Sequence, residues 1–92
     1  MGSALVQQAS IIELFSEADK LARAEEPQKA ADLYKVWIAR NGSSELLHAA
    51  YFNYGVALSK LGDHAGATNA LRASIRLKPD FYPPYINLGR AL

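Results

Sequence analysis

The strongest constraint on this chain is a stretch that returns at a fixed distance. "YFNYGVALSKLGD" begins at Tyr51 and "YINLGRAL" begins at Tyr85, and the two share Tyr, Asn, Gly and Leu in register, 34 residues apart. In a chain of 92 residues a period of that length leaves room for one structural unit, its copy and a part of a third. Units of this kind bury their apolar faces by stacking on one another.

Apolar spacing says what each unit contains. Ser10 and Glu13 form a capping box ahead of "IIELFSEADKLARA", in which Ile11, Leu14, Ala18 and Leu21 make one stripe at helical spacing. Pro27 suits the first turn of a second helix, "PQKAADLYKVWIARN", because its missing N–H is an orphan donor there anyway. Ala30, Leu33, Tyr34, Trp37 and Ile38 share one side of it, and Gly42 is expected to close it in a left-handed conformation. Ser43 or Ser44 is expected to cap a third helix, "SELLHAAYFNYGVALSKL", which Gly62 ends. Asp63 caps a fourth, "HAGATNALRASIRL", followed by Pro79. Asp80 opens a fifth, with Tyr85, Leu88, Gly89 and Leu92 on one face. No apolar/polar alternation survives long enough to make a strand. The expectation is an all-α fold of five helices joined by connections of two to four residues, which force antiparallel neighbours.

A helix pair recurring every 34 residues resembles the tetratricopeptide repeat family. Residues 48–81 carry the resemblance best: Tyr51, Tyr54, Gly55, Leu58, Ala67, Leu71 and Pro79 stand at that family's pattern positions. Gly55 and Ala67 are small where paired helices must approach closely. Residues 11–44 follow more loosely. Leu14, Ala18, Leu21, Ala30 and Tyr34 fit, whereas Glu17 replaces an apolar residue, Trp37 a small one and Gly42 a proline. Glu45 to Leu47 are extra, and lengthening the third helix with them would cover the space a bulky Trp37 opens. The resemblance thus implies a single domain over 1–92, a right-handed superhelix of about two and a half repeats: 11–44, an insert 45–47, 48–81, and a half repeat 82–92. Met1 to Ser3 look like a cloning remnant. "AADLYKVWIARN", "FNYGVALSKLGDHAGA" and "LKPDFYPPYINLGRAL" also resemble the repeats that precede the catalytic domain of bacterial SPINDLY-type O-linked N-acetylglucosamine transferases. That likeness implies a docking fragment of a larger enzyme.

Composition narrows the function. Half of the residues are hydrophobic and 21% charged, the values of a globular domain. The net charge is +1 with the two signs interspersed, so neither nucleic acid nor a membrane surface is an expected partner. There is no cysteine, which removes disulfides and thiol chemistry. No segment reaches the length of a membrane span and the N-terminus lacks a signal peptide's pattern, so a cytoplasmic location is the expectation. His48 and His64 read as surface residues without metal-site spacing around them, and no serine has a base and an orienting group. No cofactor, metal or catalytic residue is expected. "NGS" at Asn41 matches a glycosylation sequon, but the structural task assigned to Gly42 argues against its use.

The resemblance implies a peptide-binding concave surface lined mainly by the first helix of each pair. By position it comprises Phe15 and Asp19 with Ile12, Ser16 and Arg23; then Phe52, Asn53, Val56 and Lys60 with Ala49 and Ser59; then Ile86, Asn87 and Arg90 with Pro83. Asn53 and Asn87 are equivalent and would grip a peptide backbone, since an amide both donates and accepts. A chaperone-tail ligand is excluded, because Phe15, Asp19 and Pro83 stand where a carboxylate clamp needs Lys, Asn and Lys. The rival expectation is a structural element that stacks on copies of itself. The apolar face of the fifth helix lacks a partner in either case, so the chain is expected to be a truncated piece of a longer protein that self-associates through Tyr85, Leu88 and Leu92.

Overall fold

The computed structural model describes residues 13–18, 20–21 and 24–80. Every regular element among them is helical, as the sequence leads one to expect. Residues 13–18 and 20–21 belong to α1. It is followed by α2, Pro27–Arg40, α3, Leu47–Lys60, and α4, His64–Leu77. The fifth helix expected over 82–92 and Ser10 of the first capping box lie outside the described residues.

Local chemistry sets most of these boundaries. Pro27 occupies the first turn of α2, where the missing N–H costs nothing. Gly62, at φ 83°, ends α3: its N–H donates to Ser59 O and the Asp63 N–H to Leu58 O, a Schellman closure. Asp63 then caps α4, its carboxylate accepting from Gly66 N at 2.9 Å. A Cβ on Gly66 would run into that same carboxylate, so the glycine leaves the cap its room.

Three expectations are corrected here. Gly42 does not close α2, because it does not adopt a positive φ. Asn41 does the capping instead: its backbone N–H reaches Trp37 O and its side-chain Nδ2 donates to the same oxygen at 2.8 Å. That bond engages the side-chain nitrogen to which a sugar would be attached at the "NGS" sequence. The third helix does not start at Ser44. Ser44 is buried and its Oγ accepts from Leu46 N at 3.1 Å, so it stabilises a turn, and α3 begins only at Leu47. The connection from α2 to α3 therefore runs over Asn41–Leu46, longer than the two to four residues anticipated.

α3 packs along both α2 and α4. Early α3 meets late α4, where Ser74 Oγ donates to His48 O at 2.8 Å, and mid-α3 meets mid-α4, where a Cβ on Gly55 would lie 3.0 Å from the Leu71 side chain. Those contacts make the pair antiparallel. Ser74 is 0% exposed, so its hydroxyl needs that partner. The other core cluster joins α1, α2 and α3 through Leu14, Ala18, Ala30, Tyr34, Trp37, Leu47 and Ala50. Leu47 belongs to the same cluster as Trp37 and Leu46 packs against that cluster, the one as the start of α3 and the other from the turn before it, not as the longer helix expected. His48 is half-buried rather than a surface residue, whereas His64 is exposed.

Candidate functional site

Asn53, Val56, Ala57 and Lys60 follow one another at i, i+3, i+4 and i+7 along α3, so they share one face of the helix. That face, Phe15 and Ala18 of α1, and Ala30 and Tyr34 of α2 enclose a groove of about 280 Å³. The small floor residues Ala18, Ala30 and Ala57 are buried and keep the groove open. Phe15 forms one wall, its ring centroid 6.0 Å from that of Tyr34 at an interplanar angle of 55°. This tilted contact holds both rings in place.

Four residues assigned to the site from the sequence thus come together: Phe15, Asn53, Val56 and Lys60. Phe52 is half-buried and lies outside the groove's lining, as do Ser16, Ala49 and Ser59. Asp19, Ile86, Asn87 and Arg90, with Ile12, Arg23 and Pro83, fall outside the described residues. Sequence reasoning missed Tyr34 as a site residue. It belongs to a second helix of a pair and its apolar spacing assigns it to the core, which is also true, since it is buried.

The polar groups of the groove are few. Asn53 Nδ2 donates to Ala49 O at 3.1 Å, one turn back on its own helix, so part of its amide is engaged. Its carbonyl oxygen and second N–H have no partner among the described residues. Lys60 is exposed in the last turn of α3 and forms no ion pair with a described residue. The carbonyls around it are already satisfied: Leu61 N reaches Ala57 O and Leu58 O, and the Schellman closure takes Leu58 O and Ser59 O. The ammonium is therefore not needed to cap its own helix.

Two further depressions lie elsewhere. One of about 680 Å³ runs along α1 and α2, where Leu14, Leu21, Leu33, Val36 and Trp37 are rimmed by Glu13, Glu17, Lys29, Asp32 and Arg40. Val36 within it is 51% exposed. The other, about 390 Å³, lies between α2 and α3 and is bordered by Asp32, Lys35, Tyr54 and Asp63. Burial, with Asp63 and then Asp32 and Tyr51 adding to it, pushes the Tyr54 phenol above the usual tyrosine range, so it stays protonated. Among the described residues no cluster of histidine and carboxylate side chains could hold a metal ion, and no helix is long and apolar enough to cross a membrane. No family model, curated protein or solved structure matches the chain.

Proposed function

We propose that this chain is a peptide-binding module built from tetratricopeptide-like helix pairs, about two and a half of them in a superhelix, with no catalysis of its own. The observation that carries the reading is the groove across α1, α2 and α3. It combines apolar side chains, Phe15, Val56 and three alanines, with one amide and one cation and is open to solvent, the mixed lining that a surface taking an extended peptide would use. Supporting it, α2 and α4 are both 14 residues long and lie 37 residues apart in the chain, from Pro27 to His64 and from Arg40 to Leu77. That spacing is the 34-residue period seen in sequence plus the three inserted residues. The likeness to the repeats of O-linked N-acetylglucosamine transferases extends the proposal: the module recruits protein substrates or partners for a glycosyltransferase domain. Calorimetric titration with a peptide selected from a random library tests the groove. Val56→Glu should abolish binding while Lys35→Glu, on the opposite face of the helices, leaves it intact. Equal binding by both variants would overturn the reading.

A second reading, stacking of the module on copies of itself, has its own observation in the open apolar depression at Leu33 and Val36. Sedimentation of Val36→Lys against the parent separates the two, because only stacking makes the variant less associated.

A further inference from the structure

We infer that the open depression along α1 and α2 is the interface of a two-fold symmetric homodimer, closed as a four-helix bundle in which α1 of each copy lies against α2 of the other. This rests on the second reading above, stacking on copies, and adds the symmetry and the contacts. Within the depression Leu33 is only half-buried and Val36 is 51% exposed. An apolar strip shared by two antiparallel helices is completed by two more, the arrangement of a four-helix bundle.

Charge points to a second copy as the occupant and fixes which way round it sits. α1 lines the depression with two acids, Glu13 and Glu17, and no base. α2 lines it with Lys29 and Arg40, and with Asp32 at the margin, where that residue also borders the neighbouring depression. Residues 1–12 carry no charged side chain, so the segment ahead of Glu13 leaves this division unaltered. Asp19 and Arg23 follow Phe15 at i+4 and i+8, the spacing of the groove side of α1 and not of this one. The acidic edge of one copy is therefore the complement of the basic edge of another. α1 and α2 run antiparallel through the turn at Glu25, closed by Glu26 N to Leu21 O, so Glu13 and Arg40 stand at the same end of the strip, away from that turn. A two-fold axis running along the helices sets Glu13 of each copy opposite Arg40 of the other. An axis running across them would lay α1 on α1 and α2 on α2, acid on acid and base on base. Glu17 and Lys29 already have partners in their own chain, Lys20 at 3.6 Å and Glu26 at 2.9 Å. Glu13 and Arg40 are exposed and pair with no described residue, which leaves them to bridge the copies.

Sedimentation equilibrium of the 92-residue chain, with variants at exposed positions whose thermal melts confirm the fold, is the test. At about 100 μM the parent should be a dimer that dissociates on dilution, as suits a small contact, and Val36→Lys should be a monomer. Glu13→Arg alone and Arg40→Glu alone should each raise the dissociation constant at least about tenfold, because each sets like charges against one another twice. Mixed in equal amounts, these two variants should regain the parent's affinity, since the new base of one meets the new acid of the other. If the parent is a monomer throughout, or Val36→Lys associates as the parent does, the stacking reading falls and takes the inference with it. If Val36→Lys dissociates but the mixture stays as weak as its components, stacking at this face stands and the two-fold bundle is overturned. Tighter association of Glu13→Arg alone would overturn it as well, by showing that α1 lies on α1.

Discussion

Compared at an offset of 37 residues, the stretch from α1 to α2 and the stretch from α3 to α4 carry different residues at corresponding positions. α3 and α4 meet at Gly55 against Ala67 and Leu71, and the corresponding positions of α1 and α2 are Ala18, Ala30 and Tyr34, all six buried. Where α4 has Ser74, hydrogen-bonded to His48 O, α2 has the indole of Trp37. Each pair turns over through a residue with positive φ, Gly62 at 83° in one and Glu25 at 58° in the other. Each turn closes with a bond spanning five residues, Asp63 N to Leu58 O and Glu26 N to Leu21 O. The second pair is built on small residues and a glycine that tolerates its conformation. The first has more bulk and turns through a glutamate at positive φ, and its Phe15 and Tyr34 supply the aromatic wall of the groove.

Removing the bulk should have the largest effect. Trp37→Ser, which gives the first pair the residue of the second, should cost about 3–5 kcal/mol in urea unfolding, since Leu46, Leu47 and Ala50 would be left around a void. A loss under about 1 kcal/mol would mean that the cluster collapses onto the space, and that the two pairs are closer in architecture than they look.

Adding bulk to the tight pair comes next. Ala67 is 0% exposed, and Ala67→Leu should overpack its contact with Gly55 at a cost of about 1–3 kcal/mol. Exposed Lys60→Ala should change little, within about 0.5 kcal/mol.

The turns give a paired test with opposite signs. Gly62→Ala forces a side chain into the left-handed region and should destabilise by about 1 kcal/mol or more, whereas Glu25→Gly should stabilise by up to about 1 kcal/mol. Two shifts of the same sign in thermal melts would break the equivalence of the turns.

Much of this was legible in the sequence, and the misses have definite causes. Asp63 and Pro79 bracket α4 correctly because a capping carboxylate and a proline each act within one turn. Glu25 was invisible, since nothing in a glutamate announces a left-handed backbone; only tertiary packing of α1 on α2 imposes it. Ser44 misled for the opposite reason. A serine ahead of an apolar run is a good cap, but the same hydroxyl can fold a turn, and here it does. For the groove, Asn53, Val56 and Lys60 came from the family resemblance, position by position, and helical spacing puts the three on one face of α3. Tyr34 was missed, because an apolar stripe looks the same whether it floors a groove or fills a core.

A smaller effect comes from His48, whose imidazole is held below its ordinary value by burial, with Lys78 adding to the effect and the Glu45 backbone and Asp80 opposing it. A lowered folded value means that the unfolded chain binds the proton more readily. This contribution is therefore complete above the ordinary value of 6.5 and is lost as pH falls through the folded one. Stability should decline with acidification below 6.5 more steeply in the parent than in His48→Gln. Identical slopes would show that His48 is as hydrated as the exposed His64.

The central claim, that the face shared by α1, α2 and α3 receives a peptide, is tested most directly by mapping amide chemical shifts as a library-selected peptide is titrated into the 92-residue chain. The account predicts that shifts concentrate at Phe15, Tyr34, Asn53, Val56 and Lys60, with the Asn53 side-chain amide among those that move. Shifts concentrated instead at Gln28, Lys35 and Tyr54, or along Leu33 and Val36, would contradict it.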